Sequence, residues 1–286
     1  MSRRGLRRVL TLGLPTILGL ARRGFFIPCR LAGTADAAAG SGYPGLEARF
    51  ESAAASFGSL LDGVDGHAET LLSMGEGRPP APRWRQDWFP RLDAAAAYAL
   101  IRARRPARLV EVGSGHSTRW FARAAADAGV STRITAIDPA PRATLEGLDV
   151  DLLRTTVQQA GLTPFASLQA GDMLSLDGSH VLMPGTDTDA VLNRVLPTLP
   201  AGVLVHIHDI FLPDGYPPEW AWRGYNEQLA VAALLQGDGW RILWSSRWVA
   251  TRMRERLGKS VAARLPLIPG AHESSLWLEK VGGSHP

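Results

Sequence analysis

The segment 108–138 restricts the fold more than any other part of the sequence. The apolar run 108–115 closes in two glycines, the segment 117–129 has helical spacing, and 132–138 is a second apolar run. A strand, a tight turn, a helix and a second strand form a βαβ unit, whose two strands run parallel. The sequence therefore predicts a parallel sheet with helices packed on it.

Strands and helices alternate through the rest of the chain. Further strands are predicted near 153–158, 172–180, 202–210, 240–249 and 274–281, and helices over 186–197, 225–236 and 250–264, with a helical turn around 164–169. Upstream, helical spacing covers 43–75 and 91–105, with a Pro- and Gly-rich stretch at 75–84. Seven strands with interleaved helices predict an open α/β sheet.

Composition excludes several other classes. The chain has 286 residues, of which 45% are hydrophobic, so it can bury a core and is not mainly disordered. Cys29 is the only cysteine, which excludes a disulfide scaffold and a cysteine-based zinc site, and we expect it to be a small buried residue. No run reaches the ~20 apolar residues of a membrane span, which excludes a polytopic membrane protein.

The basic charge is concentrated at the N-terminus. The chain has 31 Lys and Arg against 27 Asp and Glu, and seven of the arginines fall within residues 1–30, which hold no acid. The other 24 basic residues against 27 acids leave a net charge of −3. A nucleic-acid-binding body would keep a basic surface, so we expect no nucleic-acid partner.

The apolar stretch 9–21, between two pairs of arginines, allows three interpretations. One is a cleaved signal peptide, although no small-residue cleavage site follows directly and the Ala-rich segment 34–40 lies too far downstream. The second is a helical arm that packs on the domain or on a partner. The third is a helix on an anionic membrane surface, since basic, apolar segments have that form.

Polar residues close four of the predicted strands, at the sheet edge where open α/β proteins bind ligands. These residues are Glu111 to Gly115, Asp138, Asp177 with His180, and His206, His208 and Asp209. Gly113 and Gly115 allow a ligand to approach the backbone, and the next helix offers free N–H groups at its N-terminus. Asp138 can accept hydrogen bonds from both ribose hydroxyls of a nucleoside cofactor.

The segments VEVGSGHSTRW and ITAIDPAPR resemble the cofactor loop and second-strand acid of class I S-adenosylmethionine (SAM)-dependent methyltransferases. The segments DGSH, VHIHDIFLP and YNEQ resemble a bacterial subgroup near the sugar and macrolide O-methyltransferases, and the resemblance covers roughly residues 84–282. It implies a Rossmann-like sheet of seven strands, the last antiparallel, with helices on both faces and an N-terminal helical extension.

The resemblance also implies SAM as the cofactor. The residues expected to bind it are Glu111, near its amino group, Gly113, Ser114, Gly115 and Ser117 in the loop, Asp138 on the ribose, and Asp177. The family's usual acid after the third strand is missing, because Gln158 and Gln159 occupy that region.

Asp177 and Asp209 close the fourth and fifth predicted strands, and paired carboxylates there can bind one Mg²⁺. The metal-dependent O-methyltransferases, which this chain resembles, have a further acid or Asn beside the second of these acids, where this chain has Ile210. His180 or a water would have to replace that ligand. The alternative is that both aspartates cap loops or accept backbone N–H groups.

His180, His206 and His208 are candidate general bases, since methyl transfer to a hydroxyl requires removal of its proton. Alternation along the strand places His206 and His208 on one face, with Asp209 at its tip. We expect His208 to act in the chemistry, with His180 and Asp209 beside it, and His206 to be a hydrogen-bonded core residue.

Five aromatic residues flank the predicted site: Trp84, Trp88, Tyr216, Trp220 and Trp222. They either pack the 211–224 loop against the sheet or form a lid or platform for an apolar or sugar ring. His116 is expected to be a helix-capping or surface residue.

Three regions are predicted: a basic, apolar arm (1–40), a helical extension and linker (41–83) and a methyltransferase domain (84–286). The predicted reaction is O-methylation of a hydroxyl on a glycan, glycolipid or secondary metabolite. It would occur in the cytoplasm or at the inner face of the membrane, with membrane contact through residues 1–30, and the enzyme could be a homo-oligomer.

Two alternatives to a methyltransferase remain open. One is an NAD(P)-dependent oxidoreductase on a Rossmann scaffold, which Thr118 disfavours because a dinucleotide loop needs a small residue there. The other is a non-catalytic nucleoside-binding protein.

Overall fold

The structure is a computed structural model, and it describes residues 3–25, 27, 29–34 and 42–282. Residues 35–40 of the Ala-rich segment named above lie outside the described residues. Within the described part of the chain, no helix has the length and apolar character that crossing a bilayer requires.

Seven strands form one sheet. They are β1 (Arg108–Val112), β2 (Arg133–Ile137), β3 (Asp151–Leu153), β4 (Met173–Leu176), β5 (Leu204–Ile207), β6 (Trp240–Ser245) and β7 (Leu276–Lys280). Their spatial order is β3-β2-β1-β4-β5-β7-β6, and β7 runs antiparallel to both of its neighbours while all the other pairs are parallel. The predicted seven-stranded Rossmann-like sheet with an antiparallel last strand is confirmed.

Helices surround the sheet in the described residues. The α-helices are α1 (Arg3–Arg8), α2 (Leu14–Ile17), α3 (Pro44–Ser52), α4 (Ala54–Asp65), α5 (Ala68–Ser73), α6 (Arg91–Arg104), α7 (His116–Ala128), α8 (Val157–Ala160), α9 (Thr163–Ala166), α10 (Asp187–Ala190), α11 (Glu227–Leu234), α12 (Ser246–Arg252) and α13 (Arg254–Gly258). Two π-helical segments, Val9–Gly13 and Val191–Val195, and four 3₁₀ segments, Ala32–Thr34, Leu196–Thr198, Pro218–Arg223 and Val261–Arg264, complete the set.

The helices α3 and α4 pack on the sheet through buried rings. Phe57 meets Trp244 of β6 edge to face, with ring centroids 6.2 Å apart, and Phe50 stacks on Trp248 of α12 at 5.9 Å. All four rings belong to one hydrophobic core. Since burial of a large apolar side chain stabilises a fold by about 1.5–3 kcal/mol, this packing fixes the helices firmly at the β6 edge.

Several predicted strand boundaries are wrong. The strands predicted over 172–180 and 202–210 end at Leu176 and Ile207. The strand predicted near 153–158 is β3 and ends at Leu153, because Thr156 and Gln159 form a capping box that starts α8. The strand predicted over 240–249 ends at Ser245, whose hydroxyl accepts a hydrogen bond from Trp248 N at 3.1 Å and so starts α12.

Gly113 lies where β1 and β4 leave the sheet side by side. Its φ is 79°, and a Cβ atom built on it would lie 1.9 Å from the carbonyl oxygen of Asp177. Gly113 N donates to Ile137 O at 3.0 Å, and Asp177 N donates to Val112 O at 2.8 Å. Only glycine satisfies both the backbone angle and the close contact.

We predict that Gly113→Ala lowers the free energy of unfolding by about 3 kcal/mol or more, because the methyl group adds a steric clash to the strained φ. The matched control is Gly171→Ala, which has a φ of 89° but no atom within 4 Å of the new methyl group. It is expected to cost about 1 kcal/mol. Urea unfolding of both variants measures the difference, and equal costs would refute the close-contact argument.

Candidate functional site

Glu111 is fully buried at the end of β1, where two hydroxyl groups of α7 hold it. Ser117 Oγ and Thr118 Oγ1 donate hydrogen bonds to its two carboxylate oxygens at 2.5 and 2.6 Å. Gly115 N donates in turn to Thr118 Oγ1 at 2.9 Å. Burial raises the pKa of Glu111 to about 8 in spite of these two donors. The carboxyl group therefore holds a proton at neutral pH unless a cation approaches it.

Asp138 follows β2 and is tied to the glycine loop. Its Oδ2 accepts hydrogen bonds from Ser114 N at 2.7 Å and Ser114 Oγ at 2.9 Å, and its Oδ1 accepts from Ala140 N at 2.8 Å. A carboxylate oxygen can accept two hydrogen bonds. Oδ1 of Asp138 therefore keeps acceptor capacity for a ligand.

A parallel stack of Trp88 on His116 stands at the start of α7. The ring centroids are 5.4 Å apart with an interplanar angle of 2°, and Trp88 is 46% exposed. His116 is buried, and its Nδ1 has no hydrogen-bond partner. Burial, together with the charges of Arg119 and Arg83, lowers the pKa of His116 to about 4, so the ring is neutral at physiological pH. The prediction that His116 is a surface or capping residue is wrong.

Acids and histidines lie close together next to the glycine loop, at the ends of β4 and β5 and on the helices α6 and α11. We call them the acid–histidine cluster. Its members are Asp93, Asp177, His180, His208, Asp209 and Glu227. Five of the six are buried and Asp177 is half-buried. So many charged groups are rarely buried together without a partner or a function.

His180 lies between acids on both sides of its ring. Its Nδ1 is 2.9 Å from Glu227 Oε2, and its Nε2 is 3.1 Å from Asp177 Oδ1 and 3.6 Å from Asp209 Oδ2. One potential ligand atom from each of Asp177, His180 and Asp209 lies within 4.8 Å of the others, close enough to share a metal ion.

His208 has the same type of environment. Its Nε2 is 3.2 Å from Asp93 Oδ2, and its Nδ1 is 3.4 Å from Asp209 Oδ1 and 3.5 Å from Asp177 Oδ1. Asp93 is held in turn by the backbone N–H groups of Ser274 and Ser275. The helix α6 and the segment before β7 therefore fix the orientation of the His208 ring.

The charges within the cluster dominate its titration. Burial alone would lower the pKa of His180 and of His208, but the surrounding carboxylates raise both pKa values well above the ordinary one. Burial alone would raise the pKa of Asp177, but the two histidines hold it well below its usual range.

Two residues of the cluster have strained backbones. The φ angles of His180 and Asp209 are both +57°, and Arg105 is the third non-glycine residue with a positive φ among the described residues. Such conformations cost about 1–3 kcal/mol and are commonest at functional sites. Both side chains belong to the acid–histidine cluster, with His180 Nε2 3.6 Å from Asp209 Oδ2.

The YNEQ segment at the start of α11 holds the loops around the cluster. Glu227 orients His180, and the Tyr225 ring packs on the same imidazole with centroids 4.5 Å apart. Asn226 accepts a hydrogen bond from Leu182 N at 2.6 Å and donates to Leu182 O at 3.2 Å. The next residue, Gln228, accepts from Phe211 N at 2.7 Å. Each residue of the motif therefore positions a ring or a loop of the site.

Arg223 connects the 211–224 loop to the cluster. Its guanidinium stacks 3.8 Å from the centroid of the Trp220 ring, donates to Tyr225 OH at 3.1 Å, and lies 3.9 Å from Asp209 Oδ2. The predicted lid loop therefore carries a cation to the edge of the negatively charged group.

His206 lies below the cluster, and each of its two ring nitrogens has a hydrogen-bond partner. Its Nδ1 is 2.8 Å from Ser175 Oγ and its Nε2 is 2.9 Å from Ser275 Oγ. Burial and the charge of His208 lower its pKa to about 3, which keeps the ring neutral. This environment matches the expected hydrogen-bonded core residue.

The structure brings the predicted residues His180, His208, Asp177 and Asp209 together, and their roles stay predictions. Sequence reasoning missed Asp93 and Glu227, the acids that orient the two histidines. The sequence signal for Asp93 was an acid within an alanine-rich apolar helix, and the signal for Glu227 was the acid of the YNEQ segment. Trp84 is buried against Trp120, at 4.2 Å between ring centroids, which agrees with a packing role and not with a platform for the acceptor. The expectation that Cys29 is buried is wrong, because Cys29 is exposed.

The region that contains the glycine loop and both histidines of the cluster resembles a known family. Residues 110–210 match a protein family described as a methyltransferase domain. This match supports a methyltransferase domain over these residues. No curated protein sequence matches the chain significantly.

Solved structures resemble the chain at low identity. The SAH-bound methyltransferase PaMTH1 of Podospora anserina is 17% identical, with a TM-score of 0.42 over 91% of this chain and 100% of the other. The plantazolicin methyltransferase BpumL in complex with SAH is 13% identical, with a TM-score of 0.39 over 69% and 86%. The branched-chain polyamine synthase of Thermus thermophilus is 16% identical, with a TM-score of 0.44 over 75% and 63%. At this level they do not identify an acceptor.

We predict that His206 makes the fold sensitive to acid. Its pKa is lowered to about 3 in the folded protein, whereas the unfolded chain binds a proton near pH 6.5, so stability falls as the pH falls from 6.5 toward 3. The loss attributable to His206 is about 2 kcal/mol at pH 5. Urea unfolding between pH 5 and 7 should show that His206→Asn reduces this pH dependence, whereas His272→Asn, at a half-exposed histidine, keeps it. An unchanged pH dependence in His206→Asn would refute the assignment.

Proposed function

We propose that the protein is a SAM-dependent O-methyltransferase, with the cofactor at the ends of β1 and β2 and the acceptor beside the acid–histidine cluster. The observation that carries the proposal is that the glycine loop after β1 and the cluster after β4 and β5 follow neighbouring strands. The strand order reverses between β1 and β4, which is where open α/β sheets bind their ligands.

The cofactor is assigned to the residues around the glycine loop. These are Glu111, Gly113, Ser114, Gly115, Ser117, Asp138 and Asp177. Glu111 would face the ammonium group of the cofactor, because a buried acid that cannot ionise alone gains its charge when a cation binds. Asp138 would accept the ribose hydroxyls through Oδ1, and the α7 N-terminus would offer N–H groups to the cofactor carboxylate. When bound, SAM supplies the electrophilic methyl group.

The cluster fits a divalent cation. Asp177, His180 and Asp209 would be the ligands, and Glu227 already accepts a hydrogen bond from the other nitrogen of His180. This arrangement of a carboxylate, a histidine and a metal is common in metalloproteins and fixes the ligating nitrogen. The two carboxylates suit Mg²⁺, and the imidazole also suits a transition metal. A bound cation would lower the pKa of an acceptor hydroxyl.

His208 is proposed as the general base. With its Nε2–H directed to Asp93, the Nδ1 atom would accept the proton of an acceptor hydroxyl once a cation bound to the neighbouring carboxylates offsets the charge that otherwise keeps the ring protonated. Asp209 and Asp177, 3.4 and 3.5 Å from Nδ1, would stabilise the imidazolium that forms. Alignment of the hydroxyl with the methyl group would provide much of the remaining acceleration.

The acceptor is proposed to be a hydroxyl of a glycan, glycolipid or secondary metabolite. Trp88, Trp222 and Tyr225 support this class, because flat rings around a polar site suit a sugar or another ring. The aromatic side chains of the 211–224 loop would then contact the acceptor and exclude water.

Calorimetric titration of the full chain with SAM, SAH and NADH, each with and without Mg²⁺ or Mn²⁺, tests the cofactor assignment. Micromolar binding of SAM and SAH but not NADH supports it, and Asp138→Ala should weaken that binding at least tenfold. Binding of NADH alone would overturn the proposal in favour of an oxidoreductase. Metal binding that His180→Ala removes would support the cation site.

We predict that SAH binding releases a proton. At pH 7 the carboxyl group of Glu111, with a pKa of about 8, is mostly protonated, and the arriving ammonium displaces that proton. Titrations in buffers of different ionisation enthalpy should give a release of about 0.5–1 proton, and Glu111→Gln should abolish it. Binding of SAH to the unsubstituted protein without proton release would contradict the role of Glu111.

We predict that His208→Asn lowers methyl transfer by 100-fold or more and leaves SAH affinity within about threefold, since general bases contribute about 10²–10⁴ to rate. Methyl transfer is measured as the label that passes from methyl-labelled SAM into the lipid, glycan and small-molecule fractions of a cell extract. His272→Asn is the control and should transfer label at the normal rate. Undiminished transfer by His208→Asn would remove His208 from the chemistry.

A further inference from the structure

The N-terminal segment exposes an unusual amount of apolar surface. Among the described residues, 17 large hydrophobic side chains are exposed, and ten of them lie between residues 6 and 31. They are Leu6, Val9, Leu10, Leu14, Ile17, Leu18, Leu20, Phe25, Ile27 and Leu31. An apolar patch of this kind on a folded protein marks a surface that contacts something else.

The apolar residues form a stripe on a helix. The elements α1, the π-helical segment and α2 follow one another without a break from Arg3 to Ile17. Leu6, Leu10, Leu14 and Ile17 are spaced by four, four and three residues, which places them along one side of it. Fifteen helical residues extend about 22 Å, shorter than the ~30 Å hydrocarbon layer of a bilayer. The helix can therefore lie on a bilayer but not cross it.

The charges of the segment define the surface that it fits. Residues 1–30 carry seven arginines and no acid, whereas the remainder of the chain has a net charge of −3. Arg3, Arg4, Arg7 and Arg8 belong to the first helical turns, and Arg22 and Arg23 follow the helix. A basic apolar helix is attracted to anionic lipid headgroups while its apolar stripe enters the acyl boundary.

We infer that residues 3–25 bind the surface of an anionic phospholipid bilayer and hold the protein there as a peripheral membrane protein. The inference does not depend on the proposed methyltransferase activity. It commits to a lipid surface over a second copy of the chain, because the seven arginines of the segment would repel the same apolar stripe of another copy, whereas anionic headgroups attract them.

The membrane-binding helix is close to the candidate site. The Arg8 guanidinium lies 5.9 Å from the centroid of the Trp222 ring, and the adjacent Arg223 is 3.9 Å from Asp209 of the cluster. The bound bilayer would therefore lie beside the 211–224 loop.

Cosedimentation of the full chain with vesicles tests the inference. At about 0.1 M salt, vesicles of phosphatidylcholine with about 30% phosphatidylglycerol should bind at least ten times more protein than pure phosphatidylcholine vesicles, and higher salt should weaken binding. Leu10→Gln with Leu14→Gln should reduce binding at least tenfold. The matched control is Leu229→Gln, since Leu229 is 57% exposed on α11 and Leu10 is 52% exposed.

A charge-matched pair of variants distinguishes vesicle binding through the helix from nonspecific electrostatic attraction of the whole protein. Four arginines of the segment are changed to Gln in one variant, and four exposed arginines of the body in the other. The first set is Arg4, Arg7, Arg22 and Arg23, and the second is Arg154, Arg194, Arg254 and Arg264. Only the variant in which the first set is changed should lose binding to the anionic vesicles. Three results would each overturn the inference. They are an equal loss of vesicle binding in both arginine variants, equal binding of the unsubstituted protein to neutral and anionic vesicles, and a dimer of the unsubstituted protein that the Leu10→Gln, Leu14→Gln variant does not form. Urea unfolding of every variant reports whether the body is folded.

Discussion

The close contact of two backbones at the ends of β1 and β4 is the constraint on which the site depends. No side chain fits between Gly113 and the carbonyl oxygen of Asp177. As a result, the loop that follows β1 and the acid that follows β4 are neighbours through the pairing of the two strands and direct backbone contact, with no need for long side chains to bridge them. This backbone contact positions Glu111 on one side and the acid–histidine cluster on the other.

The cluster is stable because its charges alternate. Each histidine lies between carboxylates, and each of the outer acids, Asp93 and Glu227, comes from a helix that packs against the strand ends. Removing one member would leave an uncompensated buried charge, which costs about 3–5 kcal/mol. Replacing buried ion pairs by apolar residues of similar volume is often neutral or stabilising, so the burial of this many charged groups fits a site that handles protons or cations.

The sequence predicted the elements whose signals are local. Asp177, His208 and Asp209 directly follow apolar runs, so their placement at the strand ends could be read from the order of residues. Asp93 could not be placed, because its partner His208 is 115 residues away and the contact forms only when α6 packs on the sheet. For Trp84 the sequence left a packing role and a platform role open for a related reason, because an aromatic residue in a Pro-rich stretch gives no signal of the core ring that it will meet. The hydroxyl of Ser245 caps α12 and so ends β6, which overrides the apolar pattern around it.

The contact between Arg8 and Trp222 has a kinetic consequence if the bilayer and methyl-transfer proposals both hold. A protein held at a surface beside its own site searches for an acceptor in two dimensions. Its rate would then follow the mole fraction of acceptor in the lipid layer and not its concentration in bulk solution. Dilution of the acceptor with inert lipid would slow the enzyme, whereas dilution of the whole suspension would not.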